Sequence, residues 1–233
     1  VTFPAATMDI QEEISKDLAE KAHKDFNTLK EKWIGVNDSV QFSLGYGPAV
    51  NSIEDFALEN KVDLIIMGTH KVSGFSDFIF GNHTEKMVAK ASIPILFLNK
   101  FMDPHSIKEI IFPNSLELNQ HELVNRIKEL QELFNAQLKV LYINTPEGFR
   151  KDSETREAMR QFVAYYGIEN YTLNIFNDQD EESGIVHFAQ GLEGGLVALS
   201  THGRRGINAF LNGSITRYLV NHMDYPIWTV LQK

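Results

Sequence analysis

One stretch of this chain occurs twice at a fixed separation. The segment Leu64-Ile-Ile-Met-Gly-Thr-His70 aligns with Leu196-Val-Ala-Leu-Ser-Thr-His202, an offset of 132 positions (202 − 70). The same offset carries Ile53, Phe56 and Ala57 onto Ile185, Phe188 and Ala189. It also carries Gly74, Phe78, Gly81, Thr84 and Pro94 onto Gly206, Phe210, Gly213, Thr216 and Pro226. An ungapped match of this length marks a duplication, so any fold for the chain has to be built from two versions of one supersecondary unit.

Each copy has the same order of signals. A short helix (residues 51–60; 183–192) leads to an apolar run of strand length (62–67; 196–199). A Gly-rich loop, a second helix (82–90; 214–221) and a strand opened by proline (94–98; 226–231) follow. Proline donates no ladder bond, and the start of a strand is where that loss is tolerated. Helices alternating with nearly continuous apolar strands predict a parallel sheet covered on both faces.

Upstream of this shared segment, the second copy has strands at 107–112, 137–143 and 171–176. Between them lie a helix at 119–134, with Leu123, Ile127, Leu130 and Phe134 on one stripe, and a charged helix at 155–165. That makes five strands for a complete unit. Position 1 corresponds to 133, so the first copy begins later in the pattern. It opens with a helix carrying Ile14, Leu18, Ala22, Leu29 and Trp33, and then an alternating strand through Val40, Phe42 and Leu44. Its opening strand–helix–strand, roughly 30 to 50 residues at usual element lengths, is expected to be missing. The expected fold is α/β, two repeated doubly wound parallel-sheet units of Rossmann-like type. The unit boundaries fall at residues 1–100 and 106–233, separated where Lys100, Asp103, Pro104 and His105 break the apolar pattern.

The bulk figures narrow the function classes. A net charge of −9 argues against broad contact with nucleic acid, which needs a basic surface. Zero Cys excludes disulfides, thiolate metal sites and cysteine nucleophiles. No apolar run approaches the roughly 20 residues that span a bilayer, and Pro4, Asp9, Glu12 and Glu13 interrupt any signal-like stretch. A cytoplasmic protein with a small-molecule or protein partner is the expectation.

The chemistry is expected in the loop after the fourth strand, at the carboxyl edge where open α/β sheets bind ligands. In the second copy it reads Ser200-Thr-His-Gly203-Arg-Arg-Gly206, continuing to Asn212-Gly213-Ser214 at the start of the next helix. A helix N-terminus offers free N–H groups and partial positive charge, which suit phosphate. Gly213 lets a ligand come close to the backbone, and Ser214 can cap the helix or donate to a phosphate oxygen. Arg204-Arg205 reads equally well as a triphosphate contact or as a solvated pair. His70 and His202 recur, but no Ser/His/Asp, paired-carboxylate, Walker A or H-E-x-x-H pattern accompanies them, so neither catalysis nor a metal is expected.

This loop resembles the G-x-x-G-x9-G-[ST] segment of ATP-binding members of the universal stress protein family. The second copy, Ser200-x-x-Gly203-x9-Gly213-Ser214, keeps three of its four positions, and the first, Gly68-x-x-Lys71-x9-Gly81-Asn82, keeps two. The family also places an acidic residue after the first strand, where it meets the ribose or base. The turn Pro113-Asn114-Ser115 is similar but has Asn114 at that position. The resemblance implies a tandem member of the family that binds ATP or a related adenine nucleotide in the second unit without rapid turnover. The implied site comprises Asn114, Ile143, Leu199, Ser200, Gly203, Arg204, Gly213 and Ser214, with a degenerate counterpart at Gly68, Lys71, Gly81 and Asn82. Whether magnesium accompanies the nucleotide stays open. The two units are expected to form an intramolecular pseudo-dimer through their proline-led strands, with homodimerisation a further option. An interaction module that has lost the ligand and a slow nucleotide hydrolase remain the alternatives.

Overall fold

The computed structural model describes residues 5–35, 39–68, 80–192, 194–202, 216, 218–219 and 225–232. By contacts these fall into two compact units, Val1–Ser52 and Ile53–Lys233. The first holds α1 (Ala5–Trp33) and the extended segment after it. Residues 39–46 carry no strand, contrary to the alternation of Val40, Phe42 and Leu44. A strand exists only where a neighbour supplies ladder bonds, and among the described residues none pairs with this segment. Phe42 instead packs on the helix, stacked on Phe26 at 4.9 Å and edge-on to His23 at 4.6 Å.

The helix α2 (Ala49–Glu59) runs across the boundary between the units. The second unit then contains β1 (Ile65–Gly68), α3 (Phe80–Lys90), β2 (Ile95–Leu98), β3 (Glu109–Pro113), α4 (His121–Phe134), β4 (Gln137–Asn144), α5 (Asp152–Tyr166), β5 (Tyr171–Asn177), α6 (Glu181–Gln190), β6 (Gly195–His202) and β7 (Ile227–Gln232). The seven strands form one sheet in the order β1-β2-β7-β6-β3-β4-β5. All neighbours are parallel except β2 and β7, which run antiparallel with Leu96 opposite Trp228. The two proline-led strands therefore lie side by side, and the sheet is mixed at that one seam.

Alternation along the strands divides the core between the two faces. Ile110, Phe112, Leu138, Val140, Leu196 and Ala198 point to the face covered by α4 and α5, where Leu123, Ile127, Leu130, Met159 and Phe162 are buried against them. The stripe read at helical spacing on α4 is thus the buried one, and Phe134 at its end is partly buried. The opposite face carries Leu141 and Ile143 and is packed by α6, where Gly184 lies so close to Ile143 that a Cβ there would come within 2.7 Å of its Cγ2. Asn135 and Gly167 end α4 and α5 in the left-handed conformation, and their backbone N–H groups donate to the last helical carbonyls. On α1 the outcome differs, because Leu18 and Leu29 of the sequence-predicted stripe are 63% and 55% exposed.

Candidate functional site

The winding of the sheet reverses at β3. The chain passes from β3 through α4 to β4 and on to β5 on one side, then returns through α6 to β6 on the other side of β3. Strands that leave a sheet in opposite senses open a crevice beyond their carboxyl ends, and this is where open α/β sheets take ligands. Asn114 follows β3 directly. The β3–β6 ladder ends with Ile111 opposite Val197, and Asn114 and Ser200 each follow three residues further along their own segments. On the other flank Pro113 pairs with Leu141, the Asn114 N–H donates to the Leu141 carbonyl at 2.9 Å, and Ile143 lies two residues beyond.

Asn114, Ile143, Leu199 and Ser200 therefore gather at the ends of three adjacent strands. Ile143 and Leu199 are buried and belong to the wall of the edge, while Ser200 is half-buried. Gly203, Arg204, Gly213 and Ser214 lie outside the described residues, although Thr216, Tyr218 and Leu219 beyond them are helical, with Thr216 and Leu219 buried. In the first copy Gly68 is the exposed last residue of β1, and Lys71 is outside the described residues. Gly81 and Asn82 stand within the first turn of α3, which starts at Phe80 rather than at 82 as the sequence suggests.

Asn114 is locked in place. Its Oδ1 accepts from the Leu116 N–H at 2.6 Å, which identifies that atom as the oxygen, since a backbone N–H can only donate. Its Nδ2 donates to Gln120 Oε1 at 2.7 Å, and Gln120 Nε2 donates back to Oδ1 at 3.4 Å. Gln120 is itself buried and donates its backbone N–H to the Tyr166 hydroxyl at 2.8 Å. At the end of the neighbouring strand β4, Asn144 is held in a comparable way. Its Oδ1 accepts from the Arg150 N–H at 2.9 Å, and its Nδ2 donates to Asn177 Oδ1 at 3.0 Å.

Beyond β4 and β5 the edge turns acidic. Desolvation raises the Glu181 carboxyl above its ordinary range, and the neighbouring Glu182, Asp180 and Glu147 add to the effect. Asp178 moves the other way. The His187 imidazole bonded to it at 2.6 Å lowers its pKa, and the Gln179 N–H helps. A carboxylate whose pKa is depressed by folding contributes stability that is present above its unfolded pKa and lost as pH falls through the folded one. The stability difference between wild type and His187→Ala is therefore expected to shrink as the pH is lowered below about 4, the ordinary carboxylate range. Urea unfolding at a series of pH values checks this, and a difference that grows on acidification would refute it.

Residues 2–99 match the model of the universal stress protein family. Over these residues the chain is similar to the universal stress protein family, whose fold its structure shares. Two universal stress proteins of Methanocaldococcus jannaschii are similar to it, one 30% identical over 101 residues and the other 25% identical over 92. The alignments cover 43% and 40% of this chain, which spans 58% and 57% of the length of these curated relatives. Among solved structures, a universal stress protein from Archaeoglobus fulgidus superposes with a TM-score of 0.73 at 13% identity, covering 100% of this chain and 85% of that one. A putative universal stress protein from Pseudomonas aeruginosa gives 0.63 at 19% identity, covering 90% and 78%. Identities this low establish a shared fold.

Sequence reasoning did not single out Gln120, Asn144, Asn177, or the Asp178–His187 pair. None carries a local signature, since each partner comes from a different element or the far end of a loop. Among the described residues no cluster of His, Asp or Glu could hold a metal ion, and no helix is long and apolar enough to cross a membrane.

Proposed function

We propose that the second repeat binds ATP or a related adenine nucleotide in the crevice beyond β3 and β6, without rapid turnover. On this reading the protein is a nucleotide-responsive regulator in the stress response. The observation that carries it is the reversal of winding at β3, which opens a crevice beyond the carboxyl ends of β3 and β6, and the sequence after β6 is the one that holds Gly203, Gly213 and Ser214. The base and ribose lie towards Asn114 and Ile143, and the phosphates towards Gly203, Gly213 and Ser214. Electrostatics supports this polarity, because Asp178, Asp180, Glu181 and Glu182 line the β5 side and would repel a polyphosphate there. The seam between β2 and β7 supports a second element of the reading, an internal pseudo-dimer of the two repeats about a pseudo-two-fold axis.

Calorimetric titration of ATP into the purified protein, first stripped of bound nucleotide by reversible denaturation, tests the proposal. One site per chain is expected. Absence of heat, together with no nucleotide in the supernatant after denaturation, would overturn it in favour of an interaction module.

A further inference from the structure

The hydrogen bonds around Asn114 determine more than its position. An asparagine amide has two acceptor sites on oxygen and two donor hydrogens on nitrogen. Leu116 N–H and Gln120 Nε2 take up both acceptor sites of Asn114 Oδ1, and Gln120 Oε1 takes one hydrogen of Nδ2. The amide cannot rotate to exchange its ends, because the Leu116 N–H would then face an NH2 group. Among the described residues, what Asn114 retains is a single N–H.

We propose that Gln120 makes position 114 a hydrogen-bond donor, so that the site selects a ligand whose ribose edge accepts a hydrogen bond there rather than donating one. The inference rests on the nucleotide reading above and deepens it, since a carboxylate at the same place could only accept. Gln120 is a specificity-determining residue that acts through Asn114. Asp at 114 would still accept from Leu116 N–H, and Gln120 could turn its amide to donate to the second carboxylate oxygen. The remaining lone pairs would then face the ligand and require a donor.

Fluorine replaces a hydroxyl at nearly the same size, accepts weakly and cannot donate, so it distinguishes the two cases. The experiment titrates ATP, 2′-deoxy-2′-fluoro-ATP and 3′-deoxy-3′-fluoro-ATP into wild type, Asn114→Asp and Asn114→Ser. Wild type should bind both analogues within about threefold of ATP, because no donor is asked of them. Asn114→Asp should lose about tenfold or more for at least one analogue relative to ATP, having forfeited a hydrogen bond to a charged acceptor. Asn114→Ser keeps an acceptor for the Leu116 N–H, but its hydroxyl, on a side chain one bond shorter, does not reach where Asn114 Nδ2 donates, and it should weaken ATP and both analogues alike by about fivefold. A tenfold loss for a fluoro analogue in wild type would overturn the proposal while leaving nucleotide binding intact. So would unaltered binding in Asn114→Ser, or equal affinities for all three ligands in a folded Asn114→Asp. No binding of ATP to wild type would remove the nucleotide reading itself, and the proposal with it.

Discussion

Replacing Gly194 with alanine is expected to destabilise the second unit by about 3 kcal/mol, from left-handed backbone strain and a backbone clash together. Gly194 has φ +75°, a conformation that side-chain-bearing residues rarely adopt, and a Cβ built there runs into the carbonyl oxygen of Ser106. No rotamer relieves such a contact, because the backbone fixes a Cβ and its partner is a main-chain carbonyl. The position cannot easily move either. The Gly194 carbonyl accepts from the Lys108 N–H at 3.1 Å, and the next residue pairs with Glu109 to begin the β3–β6 ladder. A shift that spared Ser106 would therefore disturb the ladder that sets the crevice. Chemical denaturation of the variant measures the loss, and a change under about 1 kcal/mol would mean that the turn can rearrange freely.

Gly213→Val is expected to abolish ATP binding while leaving the melting temperature close to that of wild type. The sequence puts Gly213 and Ser214 just ahead of a helix, of which Thr216, Tyr218 and Leu219 are helical. Phosphate recognition by a helix N-terminus depends on close approach to backbone N–H groups, and a valine side chain would occupy that space. Ser214→Ala removes one hydrogen bond and should cost only about 1 kcal/mol. Calorimetry with parallel thermal melts separates a lost site from a lost fold. Unchanged affinity in Gly213→Val would place the ligand elsewhere on the molecule.

Element types were legible along most of the chain because their signals are local. The strands read from apolar runs at 107–112, 137–143 and 171–176 form as β3, β4 and β5 within two residues at either end. The stripe Leu123, Ile127 and Leu130 is buried because a spacing of three and four residues puts those side chains on one helix face. The reading failed where a pattern needed a partner. Val40, Phe42 and Leu44 alternate like a strand, but alternation describes only one side of a ladder, and Phe42 found its apolar neighbours on α1. Leu18 and Leu29 likewise keep helical spacing and remain exposed, since periodicity says which residues share a face and not whether anything covers it.

The candidate site divides in the same way. Repetition at an offset of 132 and the loop glycines pointed to the family, and the resemblance in turn nominated Asn114 and Ser200 as candidates. These signals lie within a few consecutive residues or recur at a fixed interval, so they survive in one dimension. Only the tertiary structure decided that β2 and β7 meet antiparallel, that Asn114 and Ser200 follow the paired ends of β3 and β6, and that the Leu116 N–H and Gln120 take up the acceptor capacity of Asn114. Each of these depends on which groups come together in space. A hydrogen bond between side chains on separate segments leaves no periodic trace in the sequence that encodes it.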